Sequence, residues 1–600
     1  MPTHLLAEIR AEIAAPIAAA LAARGVNEEV LLTPPANADF GDLALPCHRF
    51  AKALRKAPQA IATELIAVVT ALPIVAEASA VAGYLNISLR WPALAGRVCA
   101  WATQDAGAHG QSDQLVGQHH LIEFSAPNTN KPQHLGHCRN NILGATLGTL
   151  LAAAGAKVTR TNLINDRGVH ICKSMVAWQR WGEGVTPASS GKKGDHLVGD
   201  FYVRFSSEIK AEYKARYPEG GGPEEEVYAN TESELGAATR AMLMAWEAGD
   251  PAVMELWRTM NGWCEAGFDA TYARMGIRFD LVQRESETYT AGKGLVARGL
   301  DEGVFHRTAD GAVAFDLSRV GMEGQKIVLR ADGTSIYITQ DLGTAVARHE
   351  ALAPDRLIYV VGNEQDYYFV VLFKILGAIR PAMEGKLVHR SYGMVELPDG
   401  KMKSREGTVV DADDLMDELH EAVLAANVER WSHLAEAEQR RRAEAIAQAG
   451  LRYFLLKNSP ARTIIFDKQA SISFEGDTGP YCQYAYARCA TILGKVGQSL
   501  DGVEPDYAAL AEGHARRLLL SLLALPDLHH KAVAELDPSL VAKGLYDLAR
   551  AFSSFYAAPE GRVVGAPPAV AAARAALVKA TQAALGASLG LLGITLLDEM

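Results

Sequence analysis

The stretch HLIEFSAPNTNKPQHLGHCRNNILGATLGTLLAAAGAKVTRTNLI, residues 120–164, predicts a strand, a helix and a second strand in that order. Residues 120–124, HLIEF, predict a short buried strand. Through residues 136–154 apolar positions recur at helical spacing, and Gly155 is suited to ending a helix. Residues 157–164 predict the second strand. Such a unit belongs to an open parallel sheet, which binds ligands at the carboxyl ends of its strands.

The loop between the first strand and the helix carries Lys131 and two histidines, His134 and His137, around a Leu-Gly pair. A helix N-terminus has free N–H groups that favour anions, and imidazoles and an ammonium add donors for phosphate oxygens. Gly136 leaves room for a flat ring or a phosphate against the backbone. A lone histidine here would favour a helix cap with a buried structural side chain. Two histidines with Lys131 favour a phosphate site.

The composition is that of an ordinary globular protein. The chain has 600 residues, 49% hydrophobic and 22% charged, with seven cysteines and a net charge of −11. This length predicts about four domains. The sequence contains no CxxC pair, no membrane-length apolar run and no signal-peptide pattern, so we expect a cytoplasmic protein without structural zinc. The acidic balance argues against diffuse nucleic-acid binding but allows a local basic face.

Hydrophobic patterning divides the chain into four parts. Residues 1–105 predict an α+β domain, and residues 106–410 a Rossmann-like parallel-sheet domain with an insertion at about 186–275. Residues 411–474 predict a helical connection, and residues 475–600 an all-α bundle. The predicted fold class is therefore multidomain α/β, with an interrupted Rossmann-like catalytic domain between an N-terminal α+β domain and a C-terminal all-α bundle.

A second polar segment, GMVELPDGKMKSREGT, spans residues 393–408. A turn at residues 398–400 is followed by Lys401, Lys403 and Arg405, with Ser404 among them. Taken alone, a basic loop of this kind is as often a solvated surface loop as a binding loop.

Together the two segments resemble class I aminoacyl-tRNA synthetases. HLGH at residues 134–137 resembles the HIGH signature, and KMKSR at residues 401–405 occupies the place of the KMSKS signature. Longer sequence segments along the chain are similar to those of the arginyl-tRNA synthetases: ADFGDLAL, NDRGVHICKSM, TSIYITQDLGTA, VVGNEQDYYF, GDTGPYCQYAYARC and LLGITLLDEM. The resemblance implies an arginine–tRNA ligase that uses ATP, passes through an arginyl-adenylate, and releases AMP and pyrophosphate. It also implies that the 2′-hydroxyl of the tRNA acts first and that tRNA is required for adenylate formation.

The resemblance also implies roles for individual residues of the ATP site. The implied catalytic residues are Lys131, His134, His137, Lys401, Lys403 and Ser404. The implied ATP-binding residues are His134, Gly136, His137, Met394, Val395, Lys401 and Met402. We expect Mg²⁺ to bind with ATP and expect no other metal site. In the KMSKS signature the fourth residue is a lysine that neutralises the leaving pyrophosphate, whereas this chain has Ser404 there. We therefore predict that Lys131 has taken over this role.

An arginine pocket needs carboxylates in planar contact with the guanidinium. The resemblance implies that the guanidinium faces Glu123, Tyr337 and Asp341. It also implies that Asn128 and Gln365 bind the α-amino and carboxylate groups of the arginine substrate. Position alone favours a helix N-cap for Asp341 and a rim charge for Glu123. The apolar run at 336–339 predicts a strand that carries Tyr337 into the helix of Asp341.

Binding tRNA with an acidic chain requires a local basic face. Arg49, Lys52 and Lys56 would share one stripe of a helix. Such a stripe is often an ordinary solvated face, but the resemblance assigns residues 1–105 to the tRNA elbow and residues 475–600 to the anticodon. The implied partners are tRNA(Arg), L-arginine and ATP, without a membrane, and we expect a monomer.

Three other classes of protein fit less well. A glutamyl or cysteinyl synthetase would need a basic amino-acid pocket or zinc-spaced cysteines. A non-catalytic tRNA-binding paralogue would show substitutions at His134, His137 or Lys401, which are all intact. A small nucleotidyltransferase would not need the long helical region that follows the second segment.

Overall fold

The computed structural model describes residues 5–104, 110–398 and 410–600. The chain forms two compact units. The terminal unit comprises Met1–Gln114, Ala449–Tyr453 and Ile472–Met600. The sheet unit comprises Leu115–Gln448 and Phe454–Ser471.

The first part of the terminal unit is a three-stranded antiparallel sheet with helices. Its elements are α1 (Leu5–Ala22), β1 (Leu43–Pro46), α2 (Ala51–Leu54), α3 (Pro58–Thr70), β2 (Val75–Val81), β3 (Tyr84–Leu89) and α4 (Trp91–Thr103). The strands lie in the order β1–β3–β2. Ile9, Ile13 and Ile17 recur at helical spacing and bury one face of α1, as their spacing predicts.

The predicted helical stripe of basic residues is wrong in its geometry. Arg49 lies in a 3-10 helix and Lys52 in the single turn of α2, and Arg55 then adopts a left-handed conformation with φ 50°. A left-handed residue ends the helical register, so Lys56 does not continue the row. Lys56 Nζ instead donates to a carboxylate oxygen of Glu64 at 2.6 Å. The three side chains remain exposed as a basic cluster rather than a stripe.

The sheet unit alternates strands and helices. Its first elements are β4 (His119–Glu123), α5 (Leu135–Ala153), β5 (Lys157–Ile164), α6 (Val169–Trp181), α7 (Pro187–Ser190), α8 (Gly194–Arg216), α9 (Glu225–Thr231), α10 (Glu234–Glu247) and α11 (Pro251–Arg274). It continues with β6 (Leu281–Arg284), α12 (Glu285–Asp301), β7 (His306–Arg307), β8 (Val313–Asp316), β9 (Gln325–Leu329), α13 (Tyr337–Leu352), β10 (Arg356–Gly362), α14 (Asp366–Ile379), β11 (Leu387–Tyr392) and β12 (Val395–Glu396). Its last elements are α15 (Ala412–Asn427), α16 (Glu436–Leu456), β13 (Ile464–Ile465) and α17 (Lys468–Ser471).

Five parallel strands form the core of the sheet unit, in the order β11–β10–β4–β5–β6. The chain runs outward from β4 through β5 to β6 and returns on the other side of β4 with β10. The order therefore reverses between β4 and β10. In open parallel sheets the ligand binds at this reversal, outside the carboxyl ends of the strands. The loop that holds HLGH leaves the carboxyl end of β4.

The strand predicted at residues 336–339 is wrong. Helix α13 begins at Tyr337, after an extended Ile336 with φ −117° and ψ 172°. The Ile336 N–H donates to Thr339 Oγ1 at 2.9 Å, which closes the first turn of the helix. β-branched residues favour strands only weakly, and packing overrides this preference here because Ile338 and Leu342 enter the core of the unit.

The second part of the terminal unit is helical, with α18 (Gly479–Val496), α19 (Gly513–Glu535), α20 (Ser539–Ala557) and α21 (Pro568–Leu591). Its link to the first part includes Asp42, whose side chain is buried. Asp42 accepts a hydrogen bond from the Arg516 guanidinium at 2.7 Å and from Trp91 Nε1 at 3.0 Å. The ADFGDLAL segment thus contains a buried carboxylate that connects the first and last parts of the chain by hydrogen bonds.

All seven cysteines are free and buried. Among the described helices, none combines the length and the apolar character that crossing a membrane requires.

Candidate active site

The backbone turns sharply where β4 ends. Ser125 and Ala126 both have positive φ, 77° and 47°, which is rare for two consecutive residues with side chains. The turn is held by side-chain amides: Asn140 Oδ1 accepts the Ser125 N–H at 2.5 Å, and Asn162 Oδ1 accepts the Ala126 N–H at 3.0 Å. Strain of this kind persists where surrounding structure fixes it, commonly at ligand sites.

The two histidines of HLGH cap the first turn of α5. His134 Nδ1 accepts the Gly136 N–H at 3.1 Å, and His137 Nδ1 accepts the His134 N–H at 3.2 Å. A Cβ on Gly136 would lie 2.9 Å from the His134 ring, so any larger residue would displace the ring that forms this cap. The capping role that a lone histidine would suggest is therefore present, but it leaves Nε2 of each ring available.

The electrostatics of the loop keep both imidazoles neutral. Burial, and then the positive charge of Lys131, lower the pKa of His134 to about 4. Burial, His134 and Lys131 hold the pKa of His137 well below its usual value. Because Nδ1 accepts a hydrogen bond in each neutral ring, the ring proton is on Nε2. Each histidine can therefore donate one hydrogen bond to a phosphate oxygen without carrying a charge.

Five of the predicted ATP-site residues line one cavity of about 260 Å³, which we call the HLGH cavity. The five are His134, Gly136, His137, Met394 and Val395. Its wall also includes the left-handed turn at the end of β4 and the end of β10. The cavity thus lies at the reversal point of the sheet, as expected for a nucleotide site.

Lys131 lies next to this cavity rather than in its wall. Its positive charge lowers the pKa of both His134 and His137. Burial lowers the pKa of Lys131 itself. Within the described part of the chain its ammonium has no carboxylate partner. A half-buried cation without an acidic partner favours binding of an anion.

Lys401, Met402, Lys403 and Ser404 lie outside the described residues, but both flanks of this segment reach HLGH. On one side, Met394 and Val395 line the HLGH cavity. On the other, the Leu135 N–H donates to the Val410 carbonyl at 3.0 Å, and the Ala412 N–H donates to the Gln133 carbonyl at 3.0 Å.

A second cavity of about 1070 Å³, which we call the carboxylate cavity, contains four of the five predicted arginine-binding residues: Glu123, Asn128, Tyr337 and Asp341. Tyr337 is 78% exposed, so it lies at the mouth. Gln365 follows β10 in a short 3-10 helix and is exposed outside this wall. Glu123 and Ala126 belong to both cavities, which therefore meet at the end of β4.

Asp341 is half-buried and lies one turn into α13 rather than at its N-cap. Burial raises its pKa to about 7, a hydrogen bond from Tyr368 opposes the rise, and Glu123 adds to it. The Tyr368 hydroxyl donates to Asp341 Oδ2. A carboxylate that is buried next to a second carboxylate is poised to receive a cation.

The sequence did not indicate three further polar residues at this site. Arg348 lies two turns after Asp341 on α13 and pairs with Glu123. Glu285 lines the carboxylate cavity, and burial raises its pKa. Arg139 is buried beside HLGH and donates to the carbonyl of Met394 at 3.0 Å, which positions one wall of the HLGH cavity. The spacing from Asp341 could have indicated Arg348, because residues seven positions apart lie on the same face of a helix.

One group of side chains has the spacing of a metal site. Ligand atoms of Asp195, His196 and Asp413 lie within 4.8 Å of one another. Lys193 Nζ, however, donates to Asp195 at 3.0 Å and to Asp413 at 2.6 Å. An ammonium therefore already supplies the positive charge in this cluster.

Three family profiles match the chain. The profile described as tRNA synthetases class I (R), catalytic domain, matches residues 104–468. The Arginyl tRNA synthetase N terminal domain matches residues 7–89, and the DALR anticodon binding domain matches residues 482–600. The parallel sheet with its HLGH loop is thus the catalytic domain of a class I aminoacyl-tRNA synthetase.

Individual proteins narrow the class. The Arginine--tRNA ligase of Porphyromonas gingivalis is 44% identical over 528 residues, 86% of each chain. That of Treponema pallidum is 40% identical over 581 residues, 95% of each chain. The solved Thermus thermophilus arginyl-tRNA synthetase superposes with a TM-score of 0.80 at 27% identity, covering 99% of this chain and all of that one. The chain belongs to the arginyl-tRNA synthetase family. The predicted family, fold class and activity, ATP-dependent arginylation of tRNA, are confirmed.

Proposed function

We propose that the chain activates L-arginine in the two joined cavities and then transfers it to tRNA(Arg). An oxygen of the arginine carboxylate attacks the α-phosphorus of ATP, which forms arginyl-adenylate and releases pyrophosphate. The 2′-hydroxyl of the terminal tRNA ribose then attacks the adenylate carbonyl and releases AMP. Glu123 and Asp341 bind the guanidinium, Asn128 and Gln365 the other end of the amino acid, and Tyr337 closes the mouth.

The observation that carries this proposal is the shared wall of the two cavities. Glu123 and Ala126 line both. A guanidinium in the carboxylate cavity and a nucleotide in the HLGH cavity would thus bring the amino-acid carboxylate and the α-phosphate together at the end of β4. Such positioning supplies much of the rate of an in-line displacement, because the reaction needs no protein nucleophile.

The proposed roles at the phosphates follow from charge and tautomer. His134 and His137 donate from Nε2, and Lys131 supplies a positive charge where pyrophosphate leaves. Adenine lies against Gly136, Met394 and Val395, and Lys401, Met402, Lys403 and Ser404 approach from the second signature. Mg²⁺ fits as an ion carried by ATP, because the groups beside HLGH are imidazoles and an ammonium rather than the oxygen ligands Mg²⁺ prefers. When bound, it neutralises charge on the phosphate oxygens.

Amino-acid-dependent exchange of pyrophosphate into ATP tests this proposal. We expect exchange with arginine in the presence of tRNA and little exchange without it, because the family resemblance implies that tRNA completes the site. Lysine and citrulline serve as matched controls: one lacks the planar fork and the other lacks the charge. Exchange with either of them at the arginine rate would contradict the proposed pocket.

We further propose that residues 1–105 bind the tRNA elbow and that residues 475–600 bind the anticodon. Along the chain they precede and follow a catalytic domain (106–410, insertion about 186–275) and a helical connection (411–474). In the terminal unit, the exposed Arg49 and Lys52 have no acidic partner among the described residues, whereas Lys56 pairs with Glu64. Seven buried free thiols suit the reducing cytoplasm, which we propose as the location of the chain, acting as a monomer.

Neutralising Arg49, Lys52 and Lys56 together with glutamine should weaken tRNA binding. We expect the slope of log affinity against log salt to fall by about two units, since each lost phosphate contact removes about one. Lys56 should contribute least because Glu64 already partly neutralises it. Arg97→Gln, which changes an exposed cation on α4, is the control. If the triple variant keeps the wild-type slope, this cluster does not bind tRNA.

A further inference from the structure

Arg348 occupies an unusual place in the wall of the carboxylate cavity. Its side chain is 1% exposed, although it lines the cavity. Nη1 donates to Glu123 Oε2, and Nε donates to Gln283 Oε1 at 2.7 Å. One oxygen of Glu123 is therefore bound by a guanidinium of the protein itself, and the other oxygen is available to a ligand.

Arg348 also faces a tyrosine in the wall of the cavity. The Arg348 guanidinium and the Tyr359 hydroxyl face each other, and Nη2 and this hydroxyl have no other partner among the described residues. Both residues belong to the cavity wall. Arg348 is thus held between Glu123, Gln283 and Tyr359 in the wall of the cavity.

We propose that Arg348 is a positioning residue for amino-acid selection: it holds Glu123 by one oxygen and offsets the negative charge of the cavity, so that Glu123 and Asp341 can both face one substrate guanidinium. This inference rests on the proposed assignment of these two carboxylates to arginine. Without Arg348, like charges would oppose each other in a buried site. With Arg348 in place, a series of hydrogen bonds runs from Gln283 through Arg348 to Glu123 and ends at the substrate guanidinium.

Asp341 reports on this arrangement through its protonation. The titratable groups that face it are Glu123 on β4, Glu285 on α12, Arg348 on α13, Tyr359 on β10 and Tyr368 on α14. Burial raises the pKa of Asp341 to about 7, and Arg348 limits the rise. The wall also carries Arg167, His170, Glu247, Lys293, Arg330 and Asp332, which stay the same in every variant below.

The arginine KM of the wild type should fall as pH rises through about 7, because a cationic substrate binds best to the ionised carboxylate. Arg348→Met removes a positive charge and so raises the pKa of Asp341 further. We expect the midpoint of the arginine KM profile to move upward by about one pH unit or more, and a shift of one unit makes the KM roughly fivefold higher at pH 7. The ATP KM should stay unchanged.

Two other variants separate charge from geometry. Arg348→Lys keeps the charge but cannot bind Glu123 and Gln283 together, so we expect a raised arginine KM with the midpoint of the wild type. Arg274→Met is the matched control. It removes a guanidinium that pairs with Glu444 at 3.0 and 3.2 Å outside both cavities, and it should change neither quantity.

The outcomes are distinct. The proposal is overturned if Arg348→Met keeps the wild-type midpoint, or if it raises the KM values of arginine and ATP equally. If Arg348→Met does not fold, Arg348→Lys decides: a raised arginine KM supports the proposal and a wild-type KM overturns it. An Asp341→Asn variant with normal arginine KM would instead overturn the pocket assignment itself, independently of Arg348.

Discussion

Lys131→Ala should lower the rate of arginyl-adenylate formation by about 10²–10³, the usual cost of losing one preorganised charge contact in a transition state. The charge of the ammonium lowers the pKa of both HLGH imidazoles, and the ammonium has no acidic partner in the described part of the chain. The neutral histidines cannot replace its charge. The measurement is pre-steady-state adenylate formation with saturating arginine, ATP and tRNA. Lys192→Ala, which loses an exposed lysine paired with Asp200, is the control.

The second signature, KMKSR at residues 401–405, allows a further test of the role of Lys131. Its fourth position is Ser404, a neutral residue where a lysine is the family pattern. Adding Ser404→Lys to Lys131→Ala should restore part of the lost rate, because a cation would return to the pyrophosphate from the other side. Lys403→Ala alone should cost much less than Lys131→Ala. If Lys403→Ala formed arginyl-adenylate very slowly while Lys131→Ala kept a near-normal rate, the second signature would supply the positive charge by itself.

Asp341→Asn should raise the arginine KM by roughly 30- to 1000-fold, which corresponds to about 2–4 kcal/mol for one charged contact to a guanidinium. The ATP KM should change little, because Asp341 lines only the carboxylate cavity. Since burial raises the pKa of Asp341 to about 7, binding strength in the wild type is gained above this pH and lost below it. The amide cannot titrate, so steady-state kinetics across pH 6–9 should show that this dependence has disappeared.

Asp316→Asn is the control for this substitution. Asp316 is a carboxylate of the same unit that caps a short 3-10 helix away from both cavities. It should leave the arginine KM and its pH dependence unchanged. If Asp341→Asn instead raised the KM values of arginine and ATP equally, the guanidinium would bind elsewhere.

The sequence predicted the parallel sheet and the HLGH loop because both depend on local patterns. A strand, a helix with a glycine end and a second strand are encoded within residues 120–164. The glycine and the two histidines that build the cap are adjacent in the chain. By contrast, the neutral state of the histidines depends on burial by distant segments, which no local pattern reports.

Where tertiary contacts decide the structure, the sequence was a weaker guide. Residues 336–339 have a β-branched pattern but form the start of α13, because Ile338 and Thr339 are buried against the core of the unit. The basic residues near position 50 lose their common stripe through the left-handed Arg55. The pairing of Glu123 with Arg348 joins residues 225 positions apart, so spacing alone could not reveal it.

The central claim is that arginine and ATP occupy two cavities that meet at Glu123 and Ala126. A crystal structure with a non-hydrolysable arginyl-adenylate analogue tests it most directly. We predict that the guanidinium lies between Glu123 and Asp341 and that the adenine lies against Gly136 and Met394, with the phosphate within reach of His134 Nε2. An analogue bound with its guanidinium outside the carboxylate cavity, or with its adenine away from HLGH, would contradict the claim.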